Sequence, residues 1–395
     1  MRRTALIQAL WVGMISVSCL GQEKSGGKTT SSGKGWLDMK TIELKGLSVT
    51  LSQPVLVARS KERLWFPTLI DLEKGKLLAV MSNIPDACMW PTKAWAAWSS
   101  DGGLTWRCDK PLDGLLSYSA LRLKNGDRLL LPFYLFPVPD TKEVTGTCPI
   151  VRKGQSAIEM VEKGVSVTGW PRACGSLGEL GQGRTQAGFG FNGQTVELKG
   201  GGYLATLYGY FEGPKHYSLL AAESADGRDW RIRSVIADET CKLKGTAEGP
   251  CEAALCRLKD GRLMCVFRMS DRMPYGQCWS RDEGKTWTTP VAMAQALSVQ
   301  PSLAVMKDGM VALSGGRPGI FVWINADGTG NDWQAVDVQA HHNACCPTET
   351  IGASTCYTEL VATDDRHLLL IYDRGFNSAW VVRIGLFRDG EKTDK

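Results

Sequence analysis

A turn between two apolar segments recurs six times along this chain of 395 residues. The turns are centred on Gly75, Gly126, Gly201, Gly261, Gly309 and Asp365. Two apolar segments joined by such a turn form a β-hairpin, and successive turns are about 48 to 75 residues apart. This spacing is typical of four-stranded propeller blades with variable loops. The repeat therefore predicts an all-β fold, a propeller with six blades.

A second motif, Ser-x-Asp-x-Gly-x-Thr-Trp, lies in the later half of the repeat units. Complete copies occupy residues 99–106 and 280–287, and degenerate copies include Asp226 with Trp230 and Asp327 with Trp333. In such a turn the Asp carboxylate accepts hydrogen bonds from nearby main-chain N–H groups, Gly adopts a positive φ, and Trp packs between neighbouring sheets. The motif accounts for part of the 14 Trp, which outnumber the Phe and the Tyr.

In phase with the hairpins, these motifs resemble the Asp boxes of the sialidase superfamily, whose members are six-bladed β-propellers. The resemblance covers nearly the whole chain, from about residue 40 to residue 389. It implies that Asp101, Asp226, Asp282 and Asp327 are structural residues on the outer rim and not catalytic acids. Fold resemblance alone leaves an enzyme and a binding module both open.

The first 35 residues differ in character from the rest. Residues 1–21 have a basic start, Arg2 and Arg3, and then an apolar stretch, which predicts an export signal. Cys19 follows a partial lipobox, so the exported protein is expected either as a lipoprotein, with membrane contact through that anchor alone, or as a periplasmic or secreted form. Residues 22–35 predict a flexible tether, and residues 36–395 the propeller domain.

Charge and cysteine content narrow the function classes. Most of the formal net charge of +5 lies in the first 35 residues, so no basic face for nucleic acid is expected on the folded domain. Twelve Cys remain without Cys19, and in an exported protein they predict several disulfides. The chain has four His and no Cys-x2-Cys pair, so neither a metal site nor a cofactor is expected.

Three residues match the catalytic core of sialidases. Tyr357 opens a Tyr-Thr-Glu-Leu run at the position where sialidases have the nucleophile Tyr. Glu252 begins one strand of the hairpin at Gly261 and Arg268 ends the other, so the two should emerge together near the central pore. The resemblance implies that Tyr357 is the nucleophile, that Glu252 activates it and that Arg268 binds the substrate carboxylate. A neutral Tyr suits this substrate, because its anomeric carboxylate would repel a carboxylate nucleophile.

Further site residues are expected in the loops. Arg317, within residues 314–319 (Ser-Gly-Gly-Arg-Pro-Gly), resembles a second carboxylate-binding arginine of the family. Asp86 is the acid of the loop after the first hairpin and resembles the general acid, although an Asp after Pro85 is also a common turn former. His342 is expected to lie over the pore and contact the substrate.

The first repeat departs from the family pattern. Trp65-Phe66-Pro67 stands where sialidases have Arg-Ile-Pro, so Trp65 replaces the first arginine of the substrate-binding triad. Arg63 can reach in from the same strand face, and Arg172 or Arg184 are other candidates.

The sequence therefore predicts an exported exo-α-sialidase that releases terminal sialic acid from a sialylated glycan or glycoprotein. Two alternatives stay open. One is a glycosidase of the same fold that inverts the anomeric centre or acts on another acidic sugar, and the other is a glycan-binding propeller without catalytic activity.

Overall fold

All six predicted hairpins are antiparallel strand pairs in the structure, a computed structural model. It describes residues 35–391 except 87–90, 117, 162–163, 180–184, 244–247 and 298. The predicted export signal and nearly all of the tether lie outside this part. In four of the hairpins the turn Gly donates its N–H to the carbonyl oxygen three residues earlier, at 2.8–2.9 Å, with φ between 89° and 98°; these are Gly126, Gly201, Gly261 and Gly309.

The strands follow the repeats. Before the first repeat come β1 (Asp38–Leu44), β2 (Leu47–Ser52) and β3 (Val55–Arg59). The repeat at Gly75 contributes β4 (Trp65–Asp71), β5 (Leu77–Ser82), β6 (Lys93–Ser99), β7 (Arg107–Cys108) and β8 (Leu112–Asp113). The repeat at Gly126 and the insertion after it contribute β9 (Ala120–Arg122), β10 (Arg128–Leu130), β11 (Phe136–Pro137), β12 (Val144–Gly146), β13 (Ile150–Val151), β14 (Val165–Thr168), β15 (Ser176–Glu179) and β16 (Thr185–Ala187).

The remaining elements complete the fold. The repeat at Gly201 has β17 (Phe189–Phe191), β18 (Val196–Glu197), β19 (Tyr203–Gly209), β20 (Ser218–Ser224) and β21 (Asp229–Ala237). The next two repeats have β22 (Cys251–Arg257), β23 (Leu263–Arg268), β24 (Pro274–Ser280), β25 (Val291–Leu297), β26 (Ser302–Val305), β27 (Val311–Gly316), β28 (Ile320–Asn325) and β29 (Gln334–Asp337). The helix α1 (Val338–Cys345) precedes β30 (Thr358–Ala362), β31 (His367–Arg374) and β32 (Ser378–Arg388).

The fold is an all-β propeller with five blades, so the predicted number of six was wrong. Among the described residues, five sheets have four or more strands, and the repeat at Gly126 forms only a three-stranded sheet of β9, β10 and β13. The chain after β10 supplies no fourth strand to this sheet, because β11, β12 and β14 extend the next sheet, where β14 pairs in parallel with β21. Pairing of β2 with β32 completes the last blade from both ends of the chain.

One strand from each of five neighbouring sheets lies beside the next around the centre, in the order β19, β22, β26, β30 and β4. These strands are mostly buried, and apolar side chains fill the space between adjacent sheets. One such layer joins β28, β31 and β2 through Val322, Leu370 and Val49. The packing places the beginnings of β22, β26 and β30 at one end of the centre, where the candidate site lies.

The Ser-x-Asp-x-Gly-x-Thr-Trp turns have the predicted hydrogen bonds. Asp101 accepts from the backbone N–H of Thr105 at 3.0 Å, and its other oxygen accepts from the Thr105 hydroxyl at 2.6 Å. Trp106 donates its indole N–H to the carbonyl of Gly103 at 2.9 Å and packs among apolar residues that include Leu369 of β31. The turn at Asp101 therefore packs its sheet against the neighbouring sheet that contains β31.

Replacing Asp282 by Ala should lower the free energy of unfolding. Hydrogen bonds led by the Thr286 backbone N–H lower the pKa of Asp282 to about 2, and Ser280 also donates to this carboxylate. By analogy with a helix N-cap, the expected loss is about 1–2 kcal/mol, measured by urea unfolding at neutral pH. Arg281→Ala, at the exposed neighbouring position, is the control, and equal stability of both variants would contradict the structural role of the turn.

The predicted disulfides are not formed among the described cysteines. All eleven are free thiols, and Cys88 lies outside the described residues. Five of them, Cys148, Cys251, Cys256, Cys265 and Cys278, are buried inside sheets or the apolar layers between them. Here cysteine acts as a small apolar side chain, which the even number of cysteines does not reveal.

No helix in the described part of the chain is long and apolar enough to cross a membrane. The helix α1 has eight residues and is capped by Asp337, whose side chain accepts a hydrogen bond from the Ala340 backbone N–H.

Candidate active site

A cavity of about 480 Å³ opens at the centre of the propeller, beside the beginnings of β22, β26 and β30. Four of the predicted site residues line it: Asp86, Glu252, Arg268 and Tyr357. The other four predicted residues, Arg63, Trp65, Arg317 and His342, are not among its described lining residues. The cavity therefore joins the expected nucleophile, activator and acid, while the rest of the predicted set lies around or away from it.

The centre of the site is the pair formed by Tyr357 and Glu252. Tyr357 donates its hydroxyl hydrogen to Oε1 of Glu252, and the other carboxylate oxygen accepts from the backbone N–H of Gln300 at 2.9 Å. Glu252 is only 6% exposed and has a positive φ of 21°. A buried carboxylate held at both oxygens can accept the phenol proton without moving, as activation of a nucleophile requires.

Arg268 joins this pair from the end of the same hairpin. The register of β22 and β23 sets Cys251 opposite Arg268, which brings Arg268 Nη1 to 3.0 Å from Glu252 Oε1 and 3.4 Å from the Tyr357 hydroxyl. Burial and then the Glu252 carboxylate raise the pKa of Tyr357, whereas the Arg268 guanidinium lowers it. The Arg268 guanidinium therefore lies where it can stabilise negative charge on either the phenol oxygen or the carboxylate.

Glu248 is a site residue that the sequence analysis missed. Its carboxylate lies 2.9 Å from Nη2 of Arg268, and it lines the cavity. The two glutamates thus hold the two terminal nitrogens of one guanidinium. The available signal was the Glu-Gly-Pro-Cys-Glu run, which places both acids on the turn into β22.

Asp86 lines the cavity from the loop that follows β5. Asp86 is exposed to solvent, and the chain continues into residues 87–90, which lie outside the described part. Asp86 can therefore reach a molecule bound in the cavity from the solvent-exposed side.

The first repeat presents Phe66, and not Trp65, to the cavity. Pairing of β4 with β5 shifts register between Trp65 and Thr68, and Phe66 has a positive φ of 48°. The Phe66 ring consequently lies edge-on to Tyr357, with centroids 4.6 Å apart. Trp65 is buried and donates its indole N–H to the carbonyl of Ile84 at 2.9 Å. The position expected for a substrate-binding cation is thus aromatic.

The candidate replacements for that cation differ in their surroundings. The guanidinium carbon of Arg63 lies 4.5 Å from the ring centroid of Trp65. Arg63 is not among the described residues that line the cavity. Arg172 pairs with Glu239 at 2.6 Å. Arg184 lies outside the described residues.

Arg317 lies close to the nucleophile but outside the cavity lining. Its guanidinium carbon is 5.9 Å from the centroid of the Tyr357 ring, and its nitrogens donate to Asp271 at 3.1 Å and to the carbonyl of Thr355 at 2.9 Å. With a side chain 28% exposed, it remains accessible from the solvent. Arg317 can contact a ligand that extends over Tyr357, and it also fixes the chain on which Tyr357 is carried.

His342 is fully buried in α1, away from the cavity lining. One ring nitrogen bonds the Tyr372 hydroxyl and the other the carbonyl of Glu349, both at 2.9 Å. Burial lowers its pKa. Both nitrogens are therefore committed to the protein, which is the arrangement of a structural histidine.

Aromatic side chains form much of the remaining cavity wall. The wall includes Phe66, Tyr118, Phe133, Tyr134, Tyr208, Tyr210 and Tyr217. Tyr210 and Tyr217 are stacked, with ring centroids 4.2 Å apart. Flat faces with hydroxyl groups at their edges suit a sugar ring, which presents both C–H faces and hydroxyls. Among the described residues, no three His, Cys, Asp or Glu side chains are grouped so as to hold a metal ion.

The structural neighbours of this chain include sialidases with a propeller fold. A protein of unknown function from Dyadobacter fermentans is 18% identical, with a TM-score of 0.65 over 87% of this chain and 100% of the other. The Hadza microbial sialidase Hz136 is 14% identical, with a TM-score of 0.58 over 83% and 66% of the two chains. The NanB sialidase from Streptococcus pneumoniae is 14% identical, with a TM-score of 0.52 over 86% and 71%. No protein-family model and no curated protein sequence matches the chain.

Proposed function

We propose that this protein is a retaining exo-glycoside hydrolase in which Tyr357 attacks the anomeric carbon of a terminal sugar. The observation that carries the proposal is the hydrogen bond from the Tyr357 hydroxyl to Glu252, made beside Arg268 at the base of an open cavity. A phenol with its own buried proton acceptor has the arrangement of an activated nucleophile.

The reaction has two steps. In the first, the phenol oxygen of Tyr357 bonds to the anomeric carbon as the bond to the leaving oxygen breaks, Glu252 takes the phenol proton, and Asp86 donates a proton to the leaving oxygen. In the second, Asp86 takes a proton from water as the water oxygen displaces Tyr357, and Glu252 returns the proton to the phenol. The net change is hydrolysis with retained configuration.

Terminal sialic acid is the first candidate for the released sugar. A neutral nucleophile suits an anomeric carbon that carries a carboxylate, and Arg268 and Arg317 flank Tyr357 on two sides. Arginine matches a carboxylate with two parallel hydrogen bonds. The sialidase neighbours support the propeller fold of this chain. The support for the reaction is the arrangement of Tyr357, Glu252 and Arg268.

A second candidate is a sugar other than sialic acid. The family resemblance expects an arginine at the position of Trp65, but the first repeat instead brings the aromatic ring of Phe66 against Tyr357. Arg268 and Arg317 are also already paired, with Glu248 and Glu252 and with Asp271 respectively. An incoming carboxylate would have to compete with these carboxylates, a cost that another sugar would not meet.

A panel of aryl glycosides tests the proposal and separates the candidates. We expect hydrolysis of an aryl sialoside, retained configuration in the first product seen by NMR, and a rate at least about 100-fold lower in Glu252→Gln, because general-base assistance contributes on this scale. Glu43→Gln, on the exposed strand β1, is the matched control. Turnover of only other glycosides would favour the second candidate.

Two outcomes would contradict the mechanism. An inverted first product would exclude a covalent intermediate on Tyr357. Binding on a glycan array without turnover of any glycoside would instead identify a glycan-binding propeller.

A further inference from the structure

A buried carboxylate, that of Asp373, binds the turn that precedes Tyr357. Asp373, in β31, is fully buried. Its oxygens accept from the Thr355 backbone N–H at 3.0 Å, from the Thr355 hydroxyl, and from the Ser354 hydroxyl at 3.3 Å. One side chain therefore binds three donors on two successive residues just before the nucleophile.

The connection continues directly to Tyr357. The Thr355 hydroxyl, which donates to Asp373, accepts from the Tyr357 backbone N–H at 3.3 Å. The carbonyl of Thr355 accepts from Arg317 at 2.9 Å. Between them Cys356 has a positive φ of 63°, in the left-handed region that non-glycine residues seldom adopt. A backbone in this conformation persists only where its surroundings hold it.

The surroundings of Asp373 are unusual for a buried acid. Every hydrogen-bond donor described for it is neutral, and no ion pair of Asp373 occurs in the described part of the chain. A buried carboxylate without a cation is costly, and burial raises the pKa of Asp373 to about 6 although the Thr355 hydrogen bonds lower it. The carboxylate is therefore held in place by the hydrogen bonds from residues 354 and 355.

We propose that Asp373 is a positioning residue for the nucleophile: its buried carboxylate fixes residues 354–357 so that the Tyr357 hydroxyl meets Glu252. The expected effect of Asp373 on catalysis rests on the proposed function. The carboxylate suits the task because it only accepts hydrogen bonds, and its two oxygens serve three donors at once. In Asp373→Asn one oxygen becomes an NH₂ group that must face a donor.

The expected kinetic effect follows from geometry. Small misplacements of a reacting atom can cost about 100-fold in rate. We expect Asp373→Asn to lower kcat by about 10- to 100-fold, with KM changed less than about threefold, because the sugar-binding wall is untouched. Thr355→Val, which removes the linking hydroxyl but keeps the shape, should have a similar effect, and Thr355→Ser should recover most of the activity that Thr355→Val loses.

A second readout does not depend on activity. Hydrogen exchange of peptides that span residues 354–357 should be faster in Asp373→Asn and in Thr355→Val, while exchange of β31 and β32 stays as in the unmutated protein. Unchanged exchange at 354–357 in both variants would overturn the inference, whether or not a substrate is found. So would an unchanged kcat in an active protein, whereas an inactive unmutated protein with faster exchange in the variants would contradict only the proposed function.

Discussion

Tyr357→Phe is expected to lower kcat for an aryl glycoside by about 1000-fold or more, equivalent to about 4 kcal/mol of lost transition-state stabilisation. The substitution removes one oxygen atom, and this oxygen donates to Glu252, accepts from Arg268 and forms the covalent bond in the proposed mechanism. The ring and its contact with Phe66 remain. Initial rates with a good aryl leaving group are the measurement, because they depend least on the proton from Asp86.

Tyr203→Phe is the matched control. The Tyr203 hydroxyl accepts a hydrogen bond from the Lys124 backbone N–H at 3.1 Å. Tyr203 is not among the described residues that line the cavity. The control should keep the rate of the unmutated protein, and thermal unfolding should show that Tyr357→Phe is folded. A folded Tyr357→Phe protein that turns over as fast as the control would remove Tyr357 from the mechanism.

The second large effect concerns Glu359, two residues beyond the nucleophile in β30. Burial raises the pKa of this carboxyl to about 7, although the Ser302 hydroxyl donates to it at 2.8 Å. The native state therefore holds a proton that the unfolded chain releases at a lower pH. Between about pH 4.5 and pH 7 the stability of the protein falls as the pH rises, by up to about 3 kcal/mol from this group alone.

Glu359→Gln removes this titration while an amide oxygen can still accept from Ser302. The difference in the free energy of unfolding between variant and unmutated protein should shift by about 3 kcal/mol in favour of the variant from pH 4.5 to pH 8, measured by urea unfolding. Glu62→Gln, at an exposed position, should show no such shift. If both differences stay constant with pH, the buried carboxyl does not hold a proton in the native state.

Hairpin reasoning anticipated the centre of the site because it depends on connectivity. A tight turn returns the chain to its starting edge, so Glu252, near the start of β22, and Arg268, at the end of β23, were expected to lie together. The meeting of Glu252 with Tyr357, over a much longer stretch of chain, came from the family resemblance.

Side-chain direction in the first repeat could not be anticipated in the same way. A shift of one residue turns a strand side chain to the opposite face. The pairing of β4 with β5 is irregular between Trp65 and Thr68, and Phe66 faces the cavity in place of Trp65. No residue type in Trp-Phe-Pro specifies such a shift. The prediction for His342 was wrong for a similar reason. The residue was expected in a loop over the pore, but it lies buried in α1.

The count of blades failed for a different reason. The hairpin at Gly126 has a strong turn signal, but the strands that follow it in the chain are short, such as β11 and β12 with two and three residues. Which sheet such a segment joins is decided by the edges available in three dimensions. In the structure β14, β12 and β11 lie at the edge of the neighbouring sheet, beyond β21, and give it eight strands.

The pairing of β2 with β32 also constrains the order of folding during synthesis. Ser52, at the end of β2, accepts from the Arg383 backbone N–H, so the contact joins residues 331 apart in sequence. Strand β2 is made before every other strand of this sheet except β1, but its partner edge exists only once β32 has been made. Such distant contacts fold slowly, and until then β2 carries an open edge that can pair with other chains. Completion of the last blade therefore waits for the synthesis of β32, whichever sheet forms first.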